Sequence, residues 1–193
     1  MLLVIGASGF LGNTVASVAM ASGRAVTGTY RQHAVADRGM RAVHAELGSQ
    51  AAAQALLAEV QPDSVINCAA FTSVDGCETD PDKARLLNVV LPGTLAAACA
   101  AAGVRMVHIS TDSVFDGTRG GYTEDDVPAP LNVYARTKLD GERAVLAALP
   151  DALVIRTNFV GPSSDGRTGL ADWLRGQFDA GERISGFTDD IFA

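Results

Sequence analysis

The stretch VIGASGFLG, residues 4–12, sets Gly6, Gly9 and Gly12 directly behind a short apolar run and at the head of an alanine-rich one. Glycines at that spacing between a strand and a helix form a phosphate-binding turn. Gly6 permits the tight turn, Gly9 lets backbone N–H groups approach a pyrophosphate, and Gly12 lets helix lie close on strand. Working outward, short β-branched runs bounded by turn residues predict strands over 2–5, 25–30, 64–68, 104–110 and 153–156. Helical patterning predicts helices over 10–21, 50–60, 81–102 and 132–149, with Gly23 and Gly103 as C-terminal caps. Alternation of this kind specifies an α/β fold, a doubly wound parallel sheet with helices on both faces. Two loops rich in glycine and proline, 112–131 and 158–169, follow predicted strands, and the carboxyl ends of parallel strands are where such sheets hold ligands.

Composition agrees with a packed domain. The 193 residues are 48% hydrophobic and 19% charged, so a core can form without staples. A formal charge of -7, with 15 basic residues dispersed among 22 acidic ones, argues against a nucleic-acid partner. The apolar stretch 95–107 is broken by Gly103 and Arg105 short of the roughly 20 residues a membrane span needs, and the first strand lacks the basic flank of a secretion signal. Cys68, Cys77 and Cys99 are odd in number and have no metal-ligand spacing, which suits small buried thiols in a reducing cytoplasm. His33, His44 and His108 are scattered, so no metal is expected.

Two further patterns carry chemistry. The acid that usually reads a ribose hydroxyl about 20 residues beyond the glycine turn is missing. Gly28, Thr29, Tyr30 and Arg31 stand there instead, and an arginine suits a 2′-phosphate, which favours NADP(H) over NAD(H). Tyr134 and Lys138 are four apart in a predicted helix and share one face, where an ammonium would draw a phenol's pKa down toward the working range. Ser110, Thr111 and Asp112 close a predicted strand, where a hydroxyl would share a substrate carbonyl oxygen with Tyr134.

GASGFLG, VINCAAFTSVD, STDSVF and PLNVYARTK, in that order, resemble the extended short-chain dehydrogenases/reductases, and within them the dTDP-4-dehydrorhamnose reductases and related sugar-nucleotide ketoreductases. The resemblance runs from Leu2 to about Gly161. It implies a Rossmann NAD(P)-binding domain over 1–157 and the start of an incomplete substrate-binding lobe over 158–193, because relatives continue further; sugar turnover by this chain would then be poor. It implies catalytic roles for Thr111, Tyr134 and Lys138, with Asn88 behind the lysine and a relay water. Implied cofactor contacts are Gly6, Ser8, Gly9, Phe10, Leu11, Gly12, Tyr30, Arg31, Glu46, Leu47, Ala69, Ala70, Ser110, Tyr134, Lys138, Arg156, Thr157 and Asn158. Implied substrate contacts are Thr72, Val74, Asp112, Ser113 and Asn158. Glu46-Leu47 departs from the Asp-Leu or Asp-Ile of relatives. Ser113 follows Asp112 where the sister dehydratases carry a glutamate, which favours simple carbonyl reduction. The expected partner is a small nucleotide-sugar; a homodimer through the helices flanking the fourth and fifth strands is compatible. A rival from another class is a partner-binding module similar to the regulatory subunit of methionine adenosyltransferase.

Overall fold

Strand β1 (Leu2–Ile5) is buried on both faces, which is why its sequence is an unbroken apolar run. It pairs in parallel with β2 (Val26–Tyr30) on one side and β4 (Ser64–Asn67) on the other. With β3 (Arg41–His44), β5 (Arg105–Ser110) and β6 (Leu153–Arg156) these form one six-stranded parallel sheet in the order β3-β2-β1-β4-β5-β6. That order reverses direction between β1 and β4, and the crevice above their carboxyl ends is the switch point of a doubly wound sheet. The computed structural model describes residues 1–33, 39–161 and 170–184.

Helix α1 (Phe10–Ala21) covers one face, with Ala16 packed against Leu2, Val4 and Val26. Helices α2 (Gln50–Val60), α5 (Leu91–Ala102) and α6 (Val133–Ala148) cover the other, where Leu3, Ile5, Leu57, Leu95 and Val145 form the larger core cluster. Two glycines allow backbones to touch. A Cβ on Gly12 would stand 2.2 Å from the Gly6 carbonyl oxygen, and one on Gly141 would stand 2.0 Å from the Asn88 carbonyl oxygen, so both close approaches require glycine.

The predicted strands and helices are all present, with ends shifted by a residue or so. Four features differ. β3 was not predicted because RAVH has three of its four residues exposed and so lacks an apolar run. A short α3 (Val74–Thr79), capped by Ser73, lies within a stretch predicted as neither helix nor strand, and α7 (Leu170–Ala180) follows the second predicted loop. Of that loop, residues 162–169 lie outside the described residues, as do 185–193 at the chain's end. The helix predicted over 81–102 is α4 (Pro81–Arg85), a π-helical turn (Leu86–Val90) and α5 in series.

This last run corrects the expectation that no segment is long and apolar enough to span a membrane. Pro81–Ala102 is 22 residues and contains an 18-residue window of mean hydropathy 1.5, because the apolar character begins well before residue 95. Its apolarity serves the core: Leu91, Leu95, Ala96, Ala98 and Cys99 are buried between α2 and α6.

Candidate active site

Four helices close their first turns with their own side chains: Ser49 for α2, Ser73 for α3, Asp80 for α4 and Asn132 for α6 accept hydrogen bonds from backbone N–H groups. Helix α1 does not. Its N-cap is Gly9, with no side-chain cap and no acid in the first turn, so its free N–H groups and positive dipole end favour an anion. The turn before it is fixed by a bond from the Gly9 N–H to the Gly6 carbonyl at 3.0 Å, and by Thr29, whose hydroxyl accepts from the Gly6 N–H at 3.1 Å. Gly6 has φ +78°, and a Cβ there would meet Ala69 at 3.0 Å.

A cleft of about 360 Å³ opens at this point. Of the sequence-predicted cofactor residues, Gly6, Ser8, Gly9, Tyr30, Arg31, Glu46, Leu47, Ala69 and Ala70 line it. Phe10, Leu11 and Gly12 lie behind its lining in the first turn of α1. At the far end of the cleft, His44 of the unpredicted β3 meets Tyr30 edge-on at 5.5 Å and contacts the Arg31 carbonyl at 3.1 Å through Nε2. The Arg31 side chain is exposed.

Beyond the switch point the site is made of buried side chains. Thr111, directly after β5, caps a 3-10 turn (Asp112–Val114), accepting from the Ser113 N–H at 3.2 Å. The Thr111 hydroxyl bonds Asp112 Oδ1 at 3.2 Å and Ser113 Oγ at 3.1 Å and lies close enough to the Tyr134 phenol to lower its pKa. Lys138, one helical turn beyond Tyr134, is 2% exposed and donates to the Ile109 carbonyl at 2.7 Å. These three residues therefore converge at the carboxyl edge of β5.

The electrostatics differ from the simple expectation of a phenol acidified by its lysine. Burial is the largest influence on Tyr134 and pushes its pKa up, while the Thr111 hydroxyl opposes this and the nearby Asp112 and Cys77 add to it. Burial pulls Lys138 down to about 8, against the raising effects of Glu142 and Cys68. Tyr134 is thus held as a protonated acid in the ligand-free protein, and Lys138 stands close to its own titration at neutral pH.

Three predicted residues have other engagements here. Asn88, within the π-helical turn, does not contact Lys138: its Oδ1 accepts from the Phe71 N–H at 2.8 Å, and its Nδ2 donates to the Phe71 carbonyl and to Thr137 Oγ1. It clamps the segment following Ala69-Ala70 and ties that segment to α6 through Thr137. Ser110 and Arg156 face Glu142. The Ser110 hydroxyl donates to Glu142 Oε1, and Arg156 makes a forked pair with both carboxylate oxygens, closest at 2.7 Å. Thr72, Val74, Asp112, Ser113 and Asn158 are exposed, and Thr157 is half-buried beside Asn158.

Sequence reasoning missed Glu142, although it continues the Tyr134, Lys138 stripe by four more residues. It also missed the Asn67 and His108 pair, joined at 3.1 Å beneath the site, in which burial and the charge of Lys138 hold the imidazole down at about 3. Among the described residues no cluster of potential metal ligands occurs.

The family model described as RmlD substrate binding domain matches residues 1–174. The chain belongs to that family. A probable low-salt glycan biosynthesis reductase of Haloferax volcanii is 42% identical over 192 residues, covering 96% of this chain and 63% of the relative. A dTDP-4-dehydrorhamnose reductase of Mycolicibacterium smegmatis is 39% identical over 90% of this chain and 50% of its own length. Methionine adenosyltransferase 2 subunit beta of Rattus norvegicus is 48% identical over 101 residues, 52% of this chain and 30% of that protein. The chain therefore spans half to two-thirds of the two reductases, and less of the third. A solved dTDP-4-dehydrorhamnose reductase of Bacillus anthracis in complex with NADP superposes with TM-score 0.69 at 28% identity, over 80% of this chain and 52% of the other. MoeE5 in complex with UDP-glucose and NAD gives TM-score 0.68 at 33% identity, over 79% and 51%.

Proposed function

We propose that this chain is the dinucleotide-binding and proton-donating part of an NAD(P)H-dependent reductase that acts on the keto group of a nucleotide-activated sugar, of the dTDP-4-dehydrorhamnose reductase kind. The observation that carries this reading is the convergence of Thr111, Tyr134 and Lys138 beside a cleft floored by an uncapped glycine turn. A nicotinamide dinucleotide fits that cleft: the α1 N-terminus takes the pyrophosphate, Ala69 and Ala70 leave room for backbone approach, and Tyr30, Arg31, Glu46 and Leu47 flank the adenosine end. The cofactor supplies hydride to the carbonyl carbon. Tyr134 gives its proton to the carbonyl oxygen, and burial, by keeping the phenol protonated, suits it to that step. Thr111 donates a hydrogen bond to the same oxygen, and Lys138 holds the nicotinamide ribose and lends positive charge as the phenolate forms. Arg31, which follows β2 where the sequence lacks the usual ribose-binding acid, supports NADP(H) over NAD(H). Residues 158–193 are taken as the beginning of the substrate lobe.

A role as a regulatory, partner-binding subunit makes no chemical demand on Thr111, Tyr134 and Lys138 together, so their assembly favours the enzyme. The decisive experiment titrates NADPH and NADH by nicotinamide fluorescence, then follows NADPH oxidation with a panel of keto sugar nucleotides and no protein partner. Dinucleotide binding with sugar-dependent oxidation is the expected result. Slow oxidation is expected with the part of the substrate lobe present here, and binding without oxidation by any sugar in a chain that spans the full length of the reductases it matches would favour the regulatory reading.

A further inference from the structure

Glu142 lies on α6 one turn beyond Lys138 and two beyond Tyr134, with its side chain only 5% exposed. One buried carboxylate there gathers several separate pieces of chain. It accepts from Ser110, whose neighbour in sequence is Thr111, and from Arg156, the last residue of β6. The Arg156 guanidinium also lies 5.2 Å over the Phe115 ring, and Phe115 stacks on Tyr122 at 4.4 Å. Thus β5, β6 and the loop after Thr111 are tied to the helix that carries Tyr134 and Lys138.

We propose that Glu142 is a positioning residue, which through Ser110 and Arg156 keeps Thr111 in register with Tyr134 and supplies the anion that keeps the neighbouring Lys138 cationic. The proposal rests on the reductase reading above. The groups facing Lys138 bear it out. On its own helix are Tyr134 and Glu142; from β5 come the Ile109 carbonyl and His108, and from the end of β4 comes Cys68. Cys68 is held near 12 and His108 near 3, so both are neutral at pH 7 and Glu142 is the one anion named among these neighbours. A bridge serving the fold alone is replaceable, because buried ion pairs exchanged for apolar residues of similar volume often leave stability unchanged.

The test has two arms. In the ligand-free protein, the Lys138 ε-carbon is followed by NMR against pH, assigned with Lys138→Arg. In Glu142→Gln the lysine is expected to titrate about one pH unit lower than in wild type. An unchanged titration overturns the proposal. The second arm uses Glu142→Met with Arg156→Met, which preserves volume, with folding checked by thermal melting. Its kcat is expected to fall about 100-fold, the scale of a small misplacement of reacting groups, while KM and the dinucleotide Kd stay within about twofold. A folded double variant with wild-type kcat also overturns the proposal. The kcat arm uses a chain that spans the full length of the reductases it matches; if that wild type turns over no keto sugar, the reductase reading fails, and the lysine titration still decides what Glu142 does to Lys138.

Discussion

Around the glycine turn the site is made largely of backbone: the turn itself, an uncapped helix end, and the small residues Ala69 and Ala70 opposite, with the side chains of Tyr30, Arg31, Glu46 and Leu47 further along the cleft. On the β5, β6 side it is made of buried polar side chains, with Lys138, Glu142, Ser110, Thr111 and His108 all 5% exposed or less. In the proposed reading, the glycine turn would meet the pyrophosphate with backbone groups that do not titrate, and the second side would carry out proton chemistry with side chains that do. The contrast suggests a division of labour in which binding and catalysis can be damaged separately.

The largest effects should come from forcing a Cβ into either side. Gly12→Ala and Gly141→Ala each place a methyl group within contact distance of a carbonyl oxygen and should each cost about 3 kcal/mol of stability in chemical denaturation. Where the variants stay folded by circular dichroism, Gly12→Ala should lose dinucleotide binding, while Gly141→Ala should keep it and lose turnover. Loss of dinucleotide binding in Gly141→Ala would show that the two sides act as one unit.

Tyr134→Phe sharpens the same division. It should lower turnover by about 10²–10⁴-fold and leave the dinucleotide Kd unchanged, measured by NADPH oxidation and by fluorescence titration.

The titrating side should also govern stability against pH. His108 is neutral when folded, with its pKa lowered from 6.5 to about 3, so the unfolded chain binds more protons in between. Stability is therefore full above pH 6.5 and falls as pH drops toward 3, by about 3 kcal/mol from this residue between pH 7 and 4. Lys138, lowered from 10.5 to about 8, adds a second window in which stability rises between about pH 8 and 10.5. Urea unfolding at several pH values should show both slopes, and His108→Asn should flatten the acid one.

Smallest is Arg31→Ala, expected to weaken NADPH binding by about 1.5–3 kcal/mol while leaving NADH unaffected, read by the same titration. An equal loss for both cofactors would mean that Arg31 does not read the 2′-phosphate.

The same contrast explains what the sequence made legible. Backbone-built features leave a trace in residue type, since few residues besides glycine tolerate φ +78° at Gly6 or a 2.2 Å clash at Gly12, so the cleft and the sheet around it could be read directly. Tyr134 and Lys138 were legible because four residues on a helix place side chains together. The edge strand Arg41–His44 was not, because an exposed edge needs no apolar run. Nor were the partners of Glu142, since Ser110 and Arg156 lie 32 and 14 residues away in the chain and meet it only through the parallel pairing of β5 with β6. Asn88 illustrates the remaining gap: the resemblance implied a place for it behind the lysine, while its hydrogen bonds to the Phe71 backbone, 17 residues away, could not be read from the sequence.

The uncapped end of α1 makes the ligand part of the protein's own thermodynamics. A helix whose first N–H groups are completed by a pyrophosphate is more stable when the dinucleotide is present, and by mass action a concentration 100 times Kd adds about 2.7 kcal/mol to the folded state. The melting temperature of this domain would then track the dinucleotide concentration around it.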